Sequence, residues 1–256
     1  MPAGIHYEVH GSGPALMLLA GLTQDVTQWG GLIAALAERF TVIAHDPRGA
    51  GRTTASFDGL TTEVMAQDAL ALLDELDMAR AHVLGFSLGG MTAQVLAATH
   101  PERVDRLVLA SSGSRIGIPP MAAIRAARTL FAASQCAVYA NDALIPWLLG
   151  QNALLDGSIG RGFATRAYKP SLEGFTAQCD ALAAHDGGPF LPRILAPTLC
   201  LAGAQDLLIP PPQGRDMASI IPNASFWELP DSGHMCFLEV PSVFQDALLA
   251  FLTDDS

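Results

Sequence analysis

A serine framed by glycines, Gly85-Phe86-Ser87-Leu88-Gly89-Gly90, is the stretch of this 256-residue chain best suited to chemistry. The short run His82-Val83-Leu84 before it reads as a buried strand, and Met91 to Ala98 after it reads as a helix. A G-x-S-x-G pattern at a strand-to-helix junction makes a sharp, strained turn that lifts the serine hydroxyl above the carboxyl edge of a sheet. Small residues on either side let the strand and the helix approach closely. A serine hydroxyl has a high pKa and is a weak nucleophile unaided. It needs a base within hydrogen-bond reach, and the base needs a carboxylate that holds its tautomer and favours its protonated form.

Seven histidines could supply the base: His6, His10, His45, His82, His100, His185 and His234. His82 begins its strand, at the wrong end for a site on the carboxyl edge. His100 ends the helix that follows Ser87. His6 and His10 lie on a half-exposed first strand, and His185, in the 114–192 segment, could reach a pocket from above. His45 and His234 each follow a strand and so lie on the correct edge. His234 stands in a Gly-His loop after the last strand, with Asp206 in a loop one strand earlier. Asp231, or an acid after the preceding strand, would be the alternative carboxylate. That preceding strand ends in Ser111-Ser112-Gly113 without an acid, which favours Asp206.

A sheet must hold these groups, and the hydrophobic pattern supplies one. Strands are expected over 5–10, 15–20, 41–44, 82–84, 104–110, 197–203 and 225–229, from alternating or continuous short apolar runs. Helices are expected over 29–40, 60–76, 91–98 and 213–221 and from Pro241 onward. Alternating strands and helices give an α/β fold with a mostly parallel, doubly wound sheet. The rhythm breaks between 114 and 192, where no strong strand occurs. Helical pieces over 121–133, 143–149 and 172–184 are punctuated there by Pro119-Pro120, Pro146, Gly150, Gly157, Gly160, Gly162 and Pro170. This reads as a mainly helical insertion, with helices of the main layer as the alternative.

The whole constellation resembles the α/β-hydrolase fold family. The resemblance is carried by the apolar strand ending in Ala20-Gly21, the loop Asp46-Pro47-Arg48-Gly49-Ala50-Gly51-Arg52-Thr53, and the turn Gly85 to Gly89. The run His100-Pro101-Glu102-Arg103-Val104, the acid loop Gly203-Ala204-Gln205-Asp206, and Gly233-His234 with Glu239 and Pro241 behind it complete the set. It implies Ser87 as nucleophile, His234 as general base then acid, and Asp206 as its orienting partner, in the chain order that the fold imposes. It also implies a core domain of residues 1–113 and 193–256, with residues 114–192 as a helical cap, or lid, over the site. The oxyanion hole would use the backbone N–H groups of Leu22 and Leu88. Where the family usually carries His-Gly this chain has Ala20-Gly21, so the loop could sit differently, but neither N–H depends on that side chain. Asp46 and Arg48 read as loop-bracing residues.

Composition bounds the partners. The net charge of −11 argues against nucleic acid and against an anionic membrane surface. No apolar run reaches the roughly 18 residues of a membrane helix, and Ala15 to Leu22 lacks the basic flank of a secretory signal. A cytoplasmic monomer or homodimer is expected, with no cofactor and no metal. The four cysteines, Cys136, Cys179, Cys200 and Cys236, lack C-x-x-C spacing. Their even number permits disulfides, but they are expected to be reduced and mostly buried.

The expected reaction is acyl transfer to water, because a serine at the turn excludes the aspartate-dependent dehalogenase and epoxide-hydrolase branches. The branch of 3-oxoadipate enol-lactonases and small carboxylesterases is the nearest likeness, so the expected partner is a small ester or lactone. Carbon–carbon hydrolysis, cofactor-free haloperoxidase or perhydrolase chemistry, and a triad-bearing ligand receptor are the alternatives. Phe131, Tyr139 and Trp147 in the insertion and Met235 beside the histidine are candidate pocket residues. Arg115, Arg125, Arg128, Arg161, Arg166 and Lys169 are the cations the insertion could offer an anionic substrate.

Overall fold

A computed structural model describes residues 4–253. Seven strands form one sheet: β1 (Tyr7–His10), β2 (Ala15–Leu19), β3 (Thr41–His45), β4 (Ala81–Phe86), β5 (Val104–Ala110), β6 (Thr198–Gly203) and β7 (Ala224–Leu229). Their order across the sheet is β1-β3-β2-β4-β5-β6-β7, with β1 antiparallel to β3 and every other pair parallel. The sheet is the mostly parallel, doubly wound α/β arrangement that the sequence predicts. After β3 the chain crosses β2 and continues in the opposite direction with β4. The sheet therefore changes winding direction between β2 and β4, and a crevice opens there at the carboxyl ends of the strands.

Eleven α-helices are present among the described residues: α1 (Leu32–Leu36), α2 (Thr62–Glu75), α3 (Leu88–Thr99), α4 (Ile118–Ser134), α5 (Ala137–Leu148), α6 (Gln151–Asp156), α7 (Ser158–Thr165), α8 (Leu172–Ala184), α9 (Pro211–Ile220), α10 (Cys236–Glu239) and α11 (Pro241–Leu252). Side chains alternate across each strand, so one sheet face carries Met17, Leu19, Val83, Leu107 and Leu109, packed with α2 and α3. The other face carries Leu16, Leu18, Leu84, Val108 and Leu201, packed with α1, α10 and α11. Burial on both faces is why β2, β4 and β5 read as continuous apolar runs.

Three local expectations need correction. The single helix expected over 29–40 is a 3-10 turn, Val26–Trp29, followed by the short α1. Gly30, at φ 59°, and Gly31 separate the two. The helix expected over 143–149 begins at Ala137 and carries Pro146 inside it, so Pro146 is no boundary. Helices α6 and α7 have no counterpart in the sequence pattern, because Gly157, Gly160 and Gly162 look like loop punctuation. Gly157 does end α6 in the left-handed region, at φ 69°, but Gly160 and Gly162 lie within α7.

Helices α4 to α8 all fall between β5 and β6. The chain leaves and re-enters the sheet at one point, where the Gly187 N–H donates to the Ser114 carbonyl at 2.8 Å. All four cysteines are free thiols, and three are buried. Among the described residues no helix is long and apolar enough to cross a membrane.

Candidate active site

Ser87 sits between the last residue of β4 and the first of α3, with φ 55° and ψ −119°. This is a strained conformation for a residue with a Cβ. It persists because the backbone around it is pinned. The Ser87 N–H donates to the Ala110 carbonyl at 2.9 Å, and the Ser87 carbonyl accepts from the Gly90 N–H at 2.9 Å and the Ser112 hydroxyl at 2.9 Å. The glycines on either side are required by close approach. A Cβ on Gly85 would stand 2.6 Å from the Gly89 oxygen, and a Cβ on Gly89 would collide with the Leu19 carbonyl of β2.

Three side chains meet at this turn. His234 Nε2 lies 3.0 Å from Ser87 Oγ, and His234 Nδ1 lies 2.8 Å from Asp206 Oδ2. All three residues are buried. Asp206 Oδ1 accepts two further bonds, from the Leu208 and Ile209 N–H groups, each at 2.8 Å. A carboxylate so engaged accepts from Nδ1–H, which leaves Nε2 as the acceptor facing the hydroxyl. The His234 ring also packs on Phe86, with centroids 5.1 Å apart.

The other polar candidates lie elsewhere. Asp231 is exposed. Asp46 accepts from the Val26 N–H at 2.8 Å and from the Arg52 N–H and Nε at 2.8 and 2.9 Å. Burial would raise the Asp46 carboxyl, but these bonds hold it below the usual carboxylate range. Arg48 clamps Asp68 through Nε at 2.6 Å and Nη2 at 2.8 Å. His45 is buried at the end of β3, and burial lowers its pKa. His185 is engaged with Thr62 and Gln94.

Leu22 lies in the loop after β2, and Leu88 opens α3, whose first amides have no helical partners. Ala20 is buried in the core, and the loop beyond it is braced by two glutamines. Gln24 Oε1 accepts from the Gly21 N–H at 3.0 Å. Gln178 on α8 accepts from the Thr23 N–H at 2.6 Å and donates to the Arg48 carbonyl at 2.7 Å. Neither glutamine stood out in the sequence, because each acts on a backbone group that is distant or not periodic with it.

A cavity opens over Ser87 and His234. Its walls are mostly apolar, with Phe131 and Met235 among them, and Thr23, Gln24, Gln28, Asn141 and Arg166 supply polar groups. Tyr139 and Trp147 do not line it, which corrects their candidacy. The face of α5 turned to the cavity is Ala137, Ala140, Asn141, Leu144 and Leu148, at helical spacing. Tyr139 falls off that face and is 57% exposed, while Trp147 is half-buried against an apolar cluster that joins α4, α5 and α8 to α2 and α3. Of the six candidate cations, Arg166 alone lines the cavity.

Comparison with known proteins places residues 14–241 in a family described as the alpha/beta hydrolase fold. The chain is 33% identical to a protein assigned as the carbamate hydrolase RutD of Caulobacter sp. strain K31, over 99% of this chain and 97% of that one. Among solved structures, the enol-lactonase from Burkholderia xenovorans LB400 superposes with a TM-score of 0.85 at 30% identity, covering 98% of this chain and 96% of that one. A protein from Mycobacterium tuberculosis H37Rv assigned as the non-heme bromoperoxidase BpoC does so with a TM-score of 0.88 at 30% identity, covering 98% and 96%.

Proposed function

This chain belongs to the alpha/beta hydrolase fold family, and from that premise we propose that it is a serine hydrolase cleaving carboxylic esters or lactones through an acyl-enzyme on Ser87. The observation that carries the reading is the unbroken line of hydrogen bonds from Ser87 Oγ through His234 to Asp206. In this reading Ser87 Oγ attacks the substrate carbonyl carbon while His234 Nε2 takes its proton. The Leu22 and Leu88 N–H groups hold the resulting oxyanion. The tetrahedral adduct collapses, the carbon–oxygen bond to the leaving alkoxide breaks, and His234 returns the proton to that alkoxide. For a lactone the alcohol stays attached to the acyl group. A water that loses its proton to His234 then attacks the acyl carbon, and the acid leaves as Ser87 recovers its proton. Residues 114–192 act in this reading as a cap on a core of residues 1–113 and 193–256, closing the cavity over the acyl group and limiting the size of what enters.

The similarity to proteins assigned as a bromoperoxidase and a carbamate hydrolase supports a second reading on the same residues. Hydrogen peroxide could replace water at the second step and release a peracid, or a carbamate could replace the ester at the first.

Hydrolysis of p-nitrophenyl butyrate tests the proposal. Turnover is expected, blocked by a serine-directed phosphonate and reduced at least about 10³-fold in Ser87→Ala. Wild-type turnover in Ser87→Ala would rule out the mechanism. A single slow covalent event without turnover would mark a receptor. A panel of lactones, esters and carbamates, with and without peroxide, ranks the reactions by kcat/KM.

A further inference from the structure

The loop that carries Leu22 is a tight turn with an ill-suited residue in it. The Gln24 N–H donates to the Gly21 carbonyl at 3.1 Å and closes four residues into a β-turn. Thr23 holds the third position at φ 60°, while Leu22 is not among the residues of positive φ. That combination is the type II form, which calls for glycine where this chain has threonine. A β-branched side chain is strained there, and such strain persists only where the surroundings impose it. Ala20 is buried in the core and offers the turn no polar side chain. The holding contacts come instead from the insertion between β5 and β6. Gln178 of α8 is fully buried, and its Oε1 accepts from the Thr23 N–H at 2.6 Å while its Nε2 donates to the Arg48 carbonyl at 2.7 Å. With both ends of the amide in use, turning it over would set an NH₂ against the Thr23 N–H. Arg166, just after α7, takes the other side. Its Nη1 donates to the Thr23 carbonyl at 3.1 Å and approaches the Thr23 hydroxyl at 3.4 Å.

The peptide planes on both sides of Thr23 are thus tied to the insertion. The remaining hydrogen bonds of the turn single out one donor. The Gly21 N–H is taken by Gln24 Oε1, the Thr23 N–H by Gln178 and the Gln24 N–H by the Gly21 carbonyl. Of the four, only the Leu22 N–H has no acceptor among the described residues, and Leu22 and Thr23 both border the cavity over Ser87. A free, fixed amide beside the nucleophile is what an oxyanion hole requires. We propose that Gln178 and Arg166 are positioning residues for the oxyanion hole: from the insertion they hold Thr23 in its left-handed conformation, and this fixes the direction of the Leu22 N–H. Without them Thr23 relaxes toward negative φ, the Leu22–Thr23 peptide swings, and the neighbouring amide loses its fixed direction. The hole is then complete only while α8 is seated on the core, so the insertion takes part in stabilising the transition state as well as in enclosing the substrate. This inference rests on the serine-hydrolase reading above and assigns how one part of that site is held.

The test combines hydrolysis of p-nitrophenyl butyrate with the binding of two ketones of matching chain length. A trifluoromethyl ketone adds Ser87 Oγ and becomes a hemiketal oxyanion, whereas the corresponding methyl ketone binds largely as the free ketone. Gln178→Met is expected to lower kcat about 10- to 100-fold and to weaken the trifluoromethyl ketone by a similar factor, with KM and the methyl ketone changed by less than about 3-fold. Arg166→Met acts in the same direction, and Arg166→Lys, which can still donate to the Thr23 carbonyl, recovers activity. Glycine adopts the Thr23 conformation without strain, so in a Thr23→Gly background Gln178→Met is expected to cost less than about 3-fold in kcat. Equal losses on the two ketones would make these residues cavity wall, and an unchanged kcat with a lowered melting temperature would make them structural only. Either result overturns the proposal, as does an undiminished loss in the Thr23→Gly background. Should Gln178→Met not fold, the two Arg166 variants carry the comparison. If the phosphonate fails to label Ser87 and the ester is not turned over, the serine-hydrolase reading fails. Deuterium uptake by the peptide spanning residues 19–26 then still decides whether the insertion holds the turn: faster exchange is expected in Gln178→Met or Arg166→Met, and unchanged exchange overturns it.

Discussion

Asp206 is held from two sides, and that fixes what its replacement would do. Its Oδ1 accepts from the Leu208 and Ile209 N–H groups, and its Oδ2 faces His234 Nδ1. In Asp206→Asn the amide oxygen stays with the two N–H groups, so the amide NH₂ turns toward Nδ1. Nδ1 must then accept, its proton moves to Nε2, and Nε2 can no longer take the Ser87 proton. With the volume conserved, kcat on p-nitrophenyl butyrate is expected to fall about 10⁴-fold while the circular dichroism spectrum holds. Retained activity would mean that Asp206 does not orient the base. At this scale the sequence was most legible where chemistry is tied to order along the chain: the structure brings Ser87, Asp206 and His234 within hydrogen-bond reach. It was least legible where direction around a helix decides. Tyr139 and Arg166 both lie in the insertion, yet one faces outward and the other lines the cavity. Nothing in their local sequence separates them, because the neighbours that set the facing come from distant segments.

Among the elements, the short helix α10 joins the insertion to the histidine loop through one side chain. Glu239 Oε2 accepts from the Gly150 N–H at 2.8 Å, between α5 and α6, and Oε1 accepts from the Gly233 N–H at 3.0 Å, next to His234. Met235 N–H adds a bond to the Leu148 carbonyl at 3.1 Å. Burial raises the Glu239 carboxyl above its ordinary value, against the pull of these bonds. Glu239→Gln keeps the size but points an NH₂ at one of the two N–H groups. One amide then loses its acceptor, at a cost of about 1–3 kcal/mol. The melting temperature is expected to drop by several degrees. Loss of the Gly233 anchor is expected to lower kcat more than it raises KM, since it moves the base and not the cavity wall. An unchanged kcat with a lowered melting point would confine Glu239 to stability. The strands were legible because burial on both faces writes itself as apolar runs such as Ala15 to Leu19. The helices of the insertion were less so: α6 and α7 are short, and their glycines imitate a loop. The Glu239 bridge spans 89 residues to Gly150 and leaves no local pattern.

The molecule as a whole carries buried histidines that make its stability depend on pH. His185 ends α8, where the insertion returns to the core. Its Nδ1 lies 2.9 Å from the Thr62 hydroxyl on α2, and its Nε2 lies 3.3 Å from Gln94 Oε1 on α3. Gln94 Nε2 is spent on the Gly113 carbonyl, so Gln94 Oε1 accepts from Nε2–H and Nδ1 accepts from Thr62. The neutral ring satisfies both partners. Burial lowers its pKa from 6.5 to about 4, with Glu63 and Asp186 opposing that shift and Arg115 reinforcing it. His45 is lowered in the same direction by burial. Between about 4 and 6.5 the unfolded chain therefore binds more protons than the folded one at His185, and stability falls as the pH drops through that window. The loss from His185 approaches about 3 kcal/mol at the acid end. Among the carboxylates, Asp46, held below its ordinary value, adds a loss in the same direction at lower pH, whereas Glu239, raised by burial, acts in the opposite sense. Replacing His185 by Gln removes the titration while leaving a side chain able to bond with Thr62. The expected result is a visibly flatter plot of melting temperature against pH over that window, even if Gln is less stable than His at neutral pH. A slope identical to that of the wild type would locate the acid sensitivity at other groups, His45 first among them.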